Sequence, residues 1–396
     1  MDLMLSDRIL NMGYSKTLEM TSKARELKEL GYNIINLSVG EPNFNTPSFI
    51  LNAAKKAINE GYNYYTPISG LKNLKEIICN KFKRDNNLNY KISQIVVSNG
   101  VKQSIINIFL ALLNKDDEVI IPAPYWVSYY EMVKFCKAKP IIIPTTIKDN
   151  FKITYKQLKN VINYKTKIFV FNTPCNPTGS VYSKEELKNL VKVLSKFDKI
   201  IIISDEIYEY IIYGKKHISL ASFPEVYNKT VTLNGLSKSF AMTGWRVGYM
   251  GGPEWIAKAC EKIQGQTTSC VNIIAQCASI EALKNNTKKS LKKIINEFKI
   301  KRDLIISILN KIPQFKFKIP EGTFYIFIDI SFLLKNKKYN FYIKSSNNFA
   351  MYLLNKCHIA TVSGEAFGYK NGLRISYAND KKKIIEGFNR IKNYLK

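Results

Sequence analysis

Two unbroken apolar runs, KIFVFN (167–172) and KIIIISD (199–205), constrain this chain more than any other feature. A strand that is apolar at every position has no face for water, so both faces must be covered. Helical patterns supply the cover. The spacing predicts helices over about 21–30, 47–61, 71–84, 101–113, 125–137, 154–163 and 183–196. Strands are predicted at 34–39, 95–98, 118–122, 140–144, 167–172 and 199–205. Thr46-Pro47 supplies a cap followed by proline at the first helical position. Alternation of this kind from about 90 to 250 implies an α/β fold, an open and mostly parallel sheet covered by helices. Right-handed crossovers then place the functional crevice at the carboxyl ends of the strands.

After Pro253 the pattern changes. A long helical stretch (about 253–311) leads to two short strand-like runs around Pro320-Glu321-Gly322. A helix at 347–356, the strand GLRISYA and a helix at 380–395 follow. We expect a smaller α+β domain built from both chain ends. The expected boundaries are an N-terminal arm (1–15), a small domain (16–47 with 295–396) and a large domain (48–294). The stretch 331–347, rich in lysine and asparagine, reads as a surface loop.

The charge admits two readings. Sixty Lys+Arg against 31 Asp+Glu give a formal net charge of +29, but only seven of the 60 are arginine. A nucleic-acid binder would concentrate its charge in an arginine-rich stripe. The lysines here run from Lys16 to Lys396, which suits a solvated surface and a compositional drift toward Lys, Asn and Ile. No apolar run approaches the ~18 residues of a membrane span. Seven cysteines without a C-x-x-C, and an N-terminus without a signal-peptide pattern, fit reduced thiols in a cytoplasm. With only His217 and His358 present, Ser-His-Asp, Cys-His and histidine-based zinc chemistry are disfavoured, and no metal site is expected.

Four segments interrupt the apolar pattern with polar residues at strand ends. Asp205 closes a buried strand, where a carboxylate is expensive unless a positive charge or an ion pair meets it. Lys238 stands in LNGLSKSFAMTGWRVGY (233–249), where small residues (Gly235, Ser237, Ser239, Ala241, Gly244) crowd one long amine; that suits a Schiff-base lysine. Arg246 follows eight residues later and can clamp a phosphate. NTPCNPTG (172–179) is a rigid loop aiming Asn176 at the crevice or an ordinary turn. SNGVKQS (98–104) sets Gly100 before a helix N-terminus, a ready phosphate seat. P-loop and GxGxxG motifs are absent.

Together these segments resemble the class I aminotransferases of the fold-type I pyridoxal phosphate enzymes, specifically the bacterial aspartate aminotransferase group. The resemblance spans nearly the whole chain, from SVGEPNFNTP (38–47) through YYTPISG, PYWVSYYEMV, NTPCNPTG, SDEIYE and SKSFAMTGWRVGY to GEAFGYKNGLRISYA. It implies that Lys238 binds pyridoxal 5'-phosphate and, once freed by the substrate, moves the Cα proton. Asp205 would pair with the protonated ring nitrogen, making the ring an electron sink. Asn176 and Tyr208 would hydrogen-bond the phenolic oxygen, and Trp126 would stack on the ring. The amides of Gly100 and Val101 with Arg246 would hold the phosphate, joined by Tyr65 from a second subunit of a homodimer. Arg374 would take the substrate α-carboxylate, with the Gly40 backbone close by. Ping-pong exchange between an amino acid and an oxo acid follows.

Within that resemblance, Lys102 and Thr17, beside Ser15 and Lys16, would meet a distal carboxylate. Aspartate with 2-oxoglutarate, giving oxaloacetate and glutamate, is therefore the expected reaction. Aromatic, alanine and prephenate aminotransferases on the same scaffold are the alternatives, and a basic nucleic-acid-binding protein the remote one. Val101, Cys175 and Tyr130 depart from the family's usual residues at positions expected to make no direct contact with the reacting groups.

Overall fold

The computed structural model describes all residues except 1–3, 11, 15, 285–286, 336–343 and 396. Its strands are β1 (Ile35–Asn36), β2 (Ile95–Ser98), β3 (Glu118–Pro122), β4 (Lys139–Ile143), β5 (Thr166–Asn172), β6 (Ile201–Asp205) and β7 (Thr230–Gly235). They continue as β8 (Gly248–Gly251), β9 (Lys316–Phe317), β10 (Tyr325–Asp329), β11 (Ile359–Ala360), β12 (Val362–Ser363) and β13 (Gly372–Ser376). Seven form one sheet in the order β2-β8-β7-β6-β5-β3-β4. The β4, β3, β5, β6 and β7 neighbours run parallel; β8 is antiparallel to both β7 and β2. This is the expected open, mostly parallel sheet.

The apolar runs behave as their composition demands. β6 is buried at every position and β5 is apolar-packed on both sides, with Ile168 and Val170 in one core cluster and Phe169 and Phe171 in another. Alternate side chains of a strand point to opposite faces. Two helix-covered cores result, and the strand ends are left as the place where polar residues can gather.

The remaining strands build smaller sheets, β12-β13-β10-β9 and the parallel pair β1-β11. One core cluster unites Met20, Ala24, Ile35 and Leu37 from the N-terminal side with Phe298, Ile326, Phe349, Ile375 and Phe388 from the C-terminal side. Ile35 N–H donates to His358 O and Ser376 N–H to Leu37 O.

Three local expectations change. The helical stretch 253–311 is three helices, Glu254–Thr267, Ile273–Leu283 and Lys288–Leu309. Ser269 takes a left-handed φ of 62°, and the Asn272 side chain accepts from Ala275 N–H to start the next helix. The helix expected from 125 begins at Ser128, and the Tyr125 N–H before it bonds Phe367 O at 3.1 Å. Of the loop 331–347, Ser331–Lys335 is helical and Ser346 begins the helix to Cys357, while 336–343 lie outside the described residues.

Reading the lysines as solvated surface also needs correction. Lys81 is fully buried and ion-paired with Glu209. Lys229 donates to Leu194 O at 2.9 Å and Phe197 O at 3.0 Å, satisfying carbonyls at the end of the helix Lys184–Leu194. Lys301, also buried, bonds Asn43 Oδ1 at 2.7 Å. Their aliphatic stems pack while their amines find acceptors.

Candidate active site

The parallel strands end at one crevice. Asp205 closes β6, and its register neighbour Asn172 closes β5. Lys238 lies in the turn after β7. The segment Ser98-Asn99-Gly100 leads from β2 into the helix Val101–Leu112, and Arg374 comes across from β13. A cavity of about 370 Å³ joins these groups, lined by Thr17, Gly40, Val101, Lys102, Trp126, Asn176, Asp205, Tyr208, Lys238, Arg246 and Arg374, eleven of the thirteen site residues expected from the sequence.

Gly100 stands just behind the wall. With φ of 82°, it lets the Arg246 guanidinium approach so closely that a Cβ there would collide with it. Tyr65 does not line this cavity; it is 88% exposed on the chain's surface. Val101, expected to act through its amide, also lines the space, so this departure from the family's usual residue does reach the site.

Asp205 is 3% exposed. The Tyr129 hydroxyl donates to its Oδ2 at 2.5 Å and Ile207 N–H to its Oδ1 at 3.2 Å. Burial nevertheless pushes its carboxyl up to about 6, since those donors only partly replace water. Asn172 braces the loop beside it: its Nδ2 donates to Asp205 O at 2.8 Å and its Oδ1 accepts from Asn176 N–H at 2.9 Å.

Lys238 Nζ donates to Gly40 O at 2.8 Å. Enclosure by protein brings its amine down to about 8, with Glu41 opposing that trend and Arg374 and Arg246 adding to it. The residue keeps some exposure through the cavity mouth, where a substrate enters. An amine near 8 loses its proton within reach of neutral pH, whereas an ordinary lysine does not. The rate at which the apoprotein captures an added aldehyde at Lys238 should therefore rise through pH 8 and level off above it. Stopped-flow absorbance with pyridoxal phosphate at pH 6–10 would check this; an inflection near 10 would show an unperturbed amine.

Arg374 is 2% exposed. Nη1 donates to Asn176 Oδ1 at 3.1 Å and Nη2 to Ser38 O at 2.6 Å, while Nε has no hydrogen-bond partner among the described residues. A buried guanidinium with a spare donor is set to receive a carboxylate. Arg246 donates to Thr243 O (2.8 Å) and Asn99 O (3.2 Å), facing the N-terminus of the helix Val101–Leu112. Lys102 Nζ lies 5.1 Å from the Trp126 ring at the rim. The residue is exposed, yet crowding by protein and the Arg246 charge hold its amine below the ordinary lysine range.

Sequence reasoning missed Tyr129, Tyr325 and Asn172. Tyr129 follows Trp126 by three residues across the turn that enters the helix, where its N–H donates to Trp126 O at 3.0 Å and the two rings meet T-shaped at 5.3 Å. Tyr325 begins an alternating strand, and only its partners across the sheet show that its hydroxyl meets Tyr208.

A part-buried amine and a buried carboxylate, with two guanidinium groups for two anions, at the strand ends of this sheet, suit amino-group transfer. Comparison with known proteins makes the assignment firm. The chain belongs to the class I and II aminotransferase family, whose model matches residues 32–391. It is 44% identical over 391 residues to a probable aspartate/prephenate aminotransferase of Rickettsia typhi, covering 98% of each chain. Among solved structures it resembles the aspartate aminotransferase of Rhizobium meliloti (TM-score 0.93, 38% identity, 98% of this chain and 97% of that one). The Thermus thermophilus aspartate aminotransferase with maleate is similarly close (TM-score 0.93, 34% identity, 98% and 99% covered). The protein is an aminotransferase.

Proposed function

We propose that this aminotransferase moves the amino group between aspartate and 2-oxoglutarate, with pyridoxal 5'-phosphate as its cofactor. The observation that carries the substrate reading is the pairing of a buried Arg374 bearing a spare Nε donor with Lys102 on the rim of the same cavity. Two cations in one cavity suit a dicarboxylate.

The donor set fits the cofactor. Arg246 and the N–H groups opening the helix Val101–Leu112 suit a phosphate. Asp205 suits a ring cation, because burial penalises its charge more than its neighbours offset. Lys238 suits an aldehyde. Bound there, the cofactor supplies an electron sink for the substrate's Cα. The chain's own residues do the rest. Arg374 orients the α-carboxylate, and Asn176 holds Arg374 in place. Lys238 would be the base that takes the Cα proton and redelivers it. Trp126 would cover the ring, Tyr208 and Asn176 would donate to its phenolic oxygen, and Thr17 would assist Lys102.

We further propose a homodimer in which Tyr65 completes the phosphate site of a second copy; its 88% exposure on the single chain leaves it free to do so. Residues 16–47 with 295–396 then form the small domain, 48–294 the large one and 1–15 an arm. Among the described residues no helix is long and apolar enough to cross a membrane. Free cysteines support a cytoplasmic setting. Prephenate, also a dicarboxylate, is the second reading, favoured by the name of the Rickettsia typhi relative.

A half-reaction screen, following cofactor absorbance as amino acids are added, tests this. Aspartate and glutamate should react fastest; a preference for alanine or phenylalanine would overturn the substrate reading. Lys102→Gln should lower kcat/KM for aspartate by about 10- to 100-fold, the worth of a charge-assisted hydrogen bond, and leave phenylalanine nearly unchanged. Equal losses for both would remove Lys102 from substrate recognition.

A further inference from the structure

Tyr325 opens β10, 1% exposed, at the junction of two functional groups, and no role above uses it. The β10–β13 register sets Phe327 opposite Arg374 and Tyr325 opposite Ser376. Tyr325 therefore lies diagonally from Arg374 on the same sheet face. The Arg374 guanidinium carbon is 4.4 Å from the Tyr325 ring centroid and 5.0 Å from that of Phe367. Two ring faces and two acceptors, Asn176 Oδ1 and Ser38 O, fix the guanidinium plane.

The other end of Tyr325 is equally committed. Its hydroxyl lies 2.9 Å from that of Tyr208. A Cβ at position 40 would come within 2.7 Å of the Tyr325 oxygen, so glycine there is what admits the hydroxyl. Two hydroxyls share a single hydrogen bond, and its direction follows from the function proposed above. If Tyr208 gives its proton to the cofactor's phenolic oxygen, its own oxygen must accept, and Tyr325 must donate. A donor behind a donor polarises it and strengthens the outer bond.

We propose that Tyr325 is a positioning residue linking both halves of the site: its ring orients Arg374 for the α-carboxylate, and its hydroxyl donates to Tyr208 so that Tyr208 donates toward the phenolic oxygen. The inference rests on the pyridoxal phosphate reading and adds to it a residue in the wall of the same cavity that acts through Tyr208 and Arg374.

The test uses the cofactor-loaded protein and two readouts. The first is the pH midpoint of the cofactor absorbance; the second is the Kd of succinate, a dicarboxylate that cannot react. A donor to the phenolic oxygen stabilises its anion. Losing it leaves the proton shared with the Lys238-linked nitrogen harder to remove, so the midpoint rises. Tyr325→Phe should raise the midpoint by roughly 0.5 and keep succinate affinity within about twofold. Tyr325→Leu, which removes the ring face as well, should also weaken succinate by about 5- to 10-fold. Tyr208→Phe should shift the midpoint further than Tyr325→Phe, and adding Tyr325→Phe to it should shift it no more. An unmoved midpoint in Tyr325→Phe, or additive shifts in the double variant, overturns the relay. Succinate affinity unchanged in Tyr325→Leu overturns the role of the ring. A wild-type protein that never acquires the absorbance overturns the functional reading itself, and this inference with it, which keeps the two failures distinguishable.

Discussion

Lys238→Ala will lower the transamination rate by at least about 10⁴-fold, the upper range for loss of a positioned acid–base group, because the same amine also anchors the cofactor. Folding will not account for the loss. Among the described residues the lysine makes one hydrogen bond, to Gly40 O, and its amine is already penalised by enclosure, which brings it down to about 8. Truncation relieves that penalty and leaves a gap open to the cavity. Small primary amines added to the variant should enter the gap and restore part of the proton transfer, with bulkier amines restoring less. Rate against amine concentration and size measures this directly. A variant that retains more than a few per cent of wild-type activity without added amine would mean that another group carries the proton.

Much of this site was readable because its chemistry sits where the fold must change character. An apolar strand has to end, and a carboxylate such as Asp205 at that end demands a partner. The same holds for Lys238, set among glycine and serine, and for arginine in a chain that otherwise uses lysine. These signals are local. Tyr129, Tyr325 and Asn172 carry no local signal for their main contacts, which lie far off in sequence: Tyr129 on Asp205, Tyr325 on Tyr208 and Arg374, Asn172 on the Asp205 carbonyl of β6. Sheet register and helix packing bring them together. The buried lysines were hidden for the same reason. Lys81 and Lys229 look like every other lysine until Glu209 and the carbonyls of Leu194 and Phe197 are placed beside them. Breaks in a helical pattern are the third kind of miss. The stretch 253–311 keeps its apolar spacing across two turns, and a left-handed Ser269 with an Asn272 cap outweighs that spacing at the first.

Asp205→Asn should separate function from stability most sharply. The carboxyl titrates at about 6 in the folded apoprotein against a usual 3.8, mainly because burial penalises its charge. Folding therefore favours its protonated form. The contribution to stability is full below pH 3.8 and is lost as the pH rises through 6, a cost of about 3 kcal/mol at neutral pH. Asparagine keeps an acceptor for Ile207 N–H and a polar partner for the Tyr129 hydroxyl while removing the charge. The apoprotein of the variant should therefore be more stable than wild type at pH 7.5, by up to about 3 kcal/mol, and the difference should vanish near pH 4. Activity should move the other way, falling by at least about 10³-fold, because a charged partner for the ring nitrogen is gone. Added pyridoxal phosphate should then stabilise wild type more than the variant, since its ring cation offsets the buried charge only where a charge exists. Urea unfolding at pH 4, 5.5 and 7.5, with and without cofactor and at fixed protein concentration, would read all three effects. A variant less stable than wild type at pH 7.5 without cofactor would show that the donors from Tyr129 and Ile207 already outweigh the burial of Asp205. Its charge would then stabilise the empty fold as well as serve the reaction.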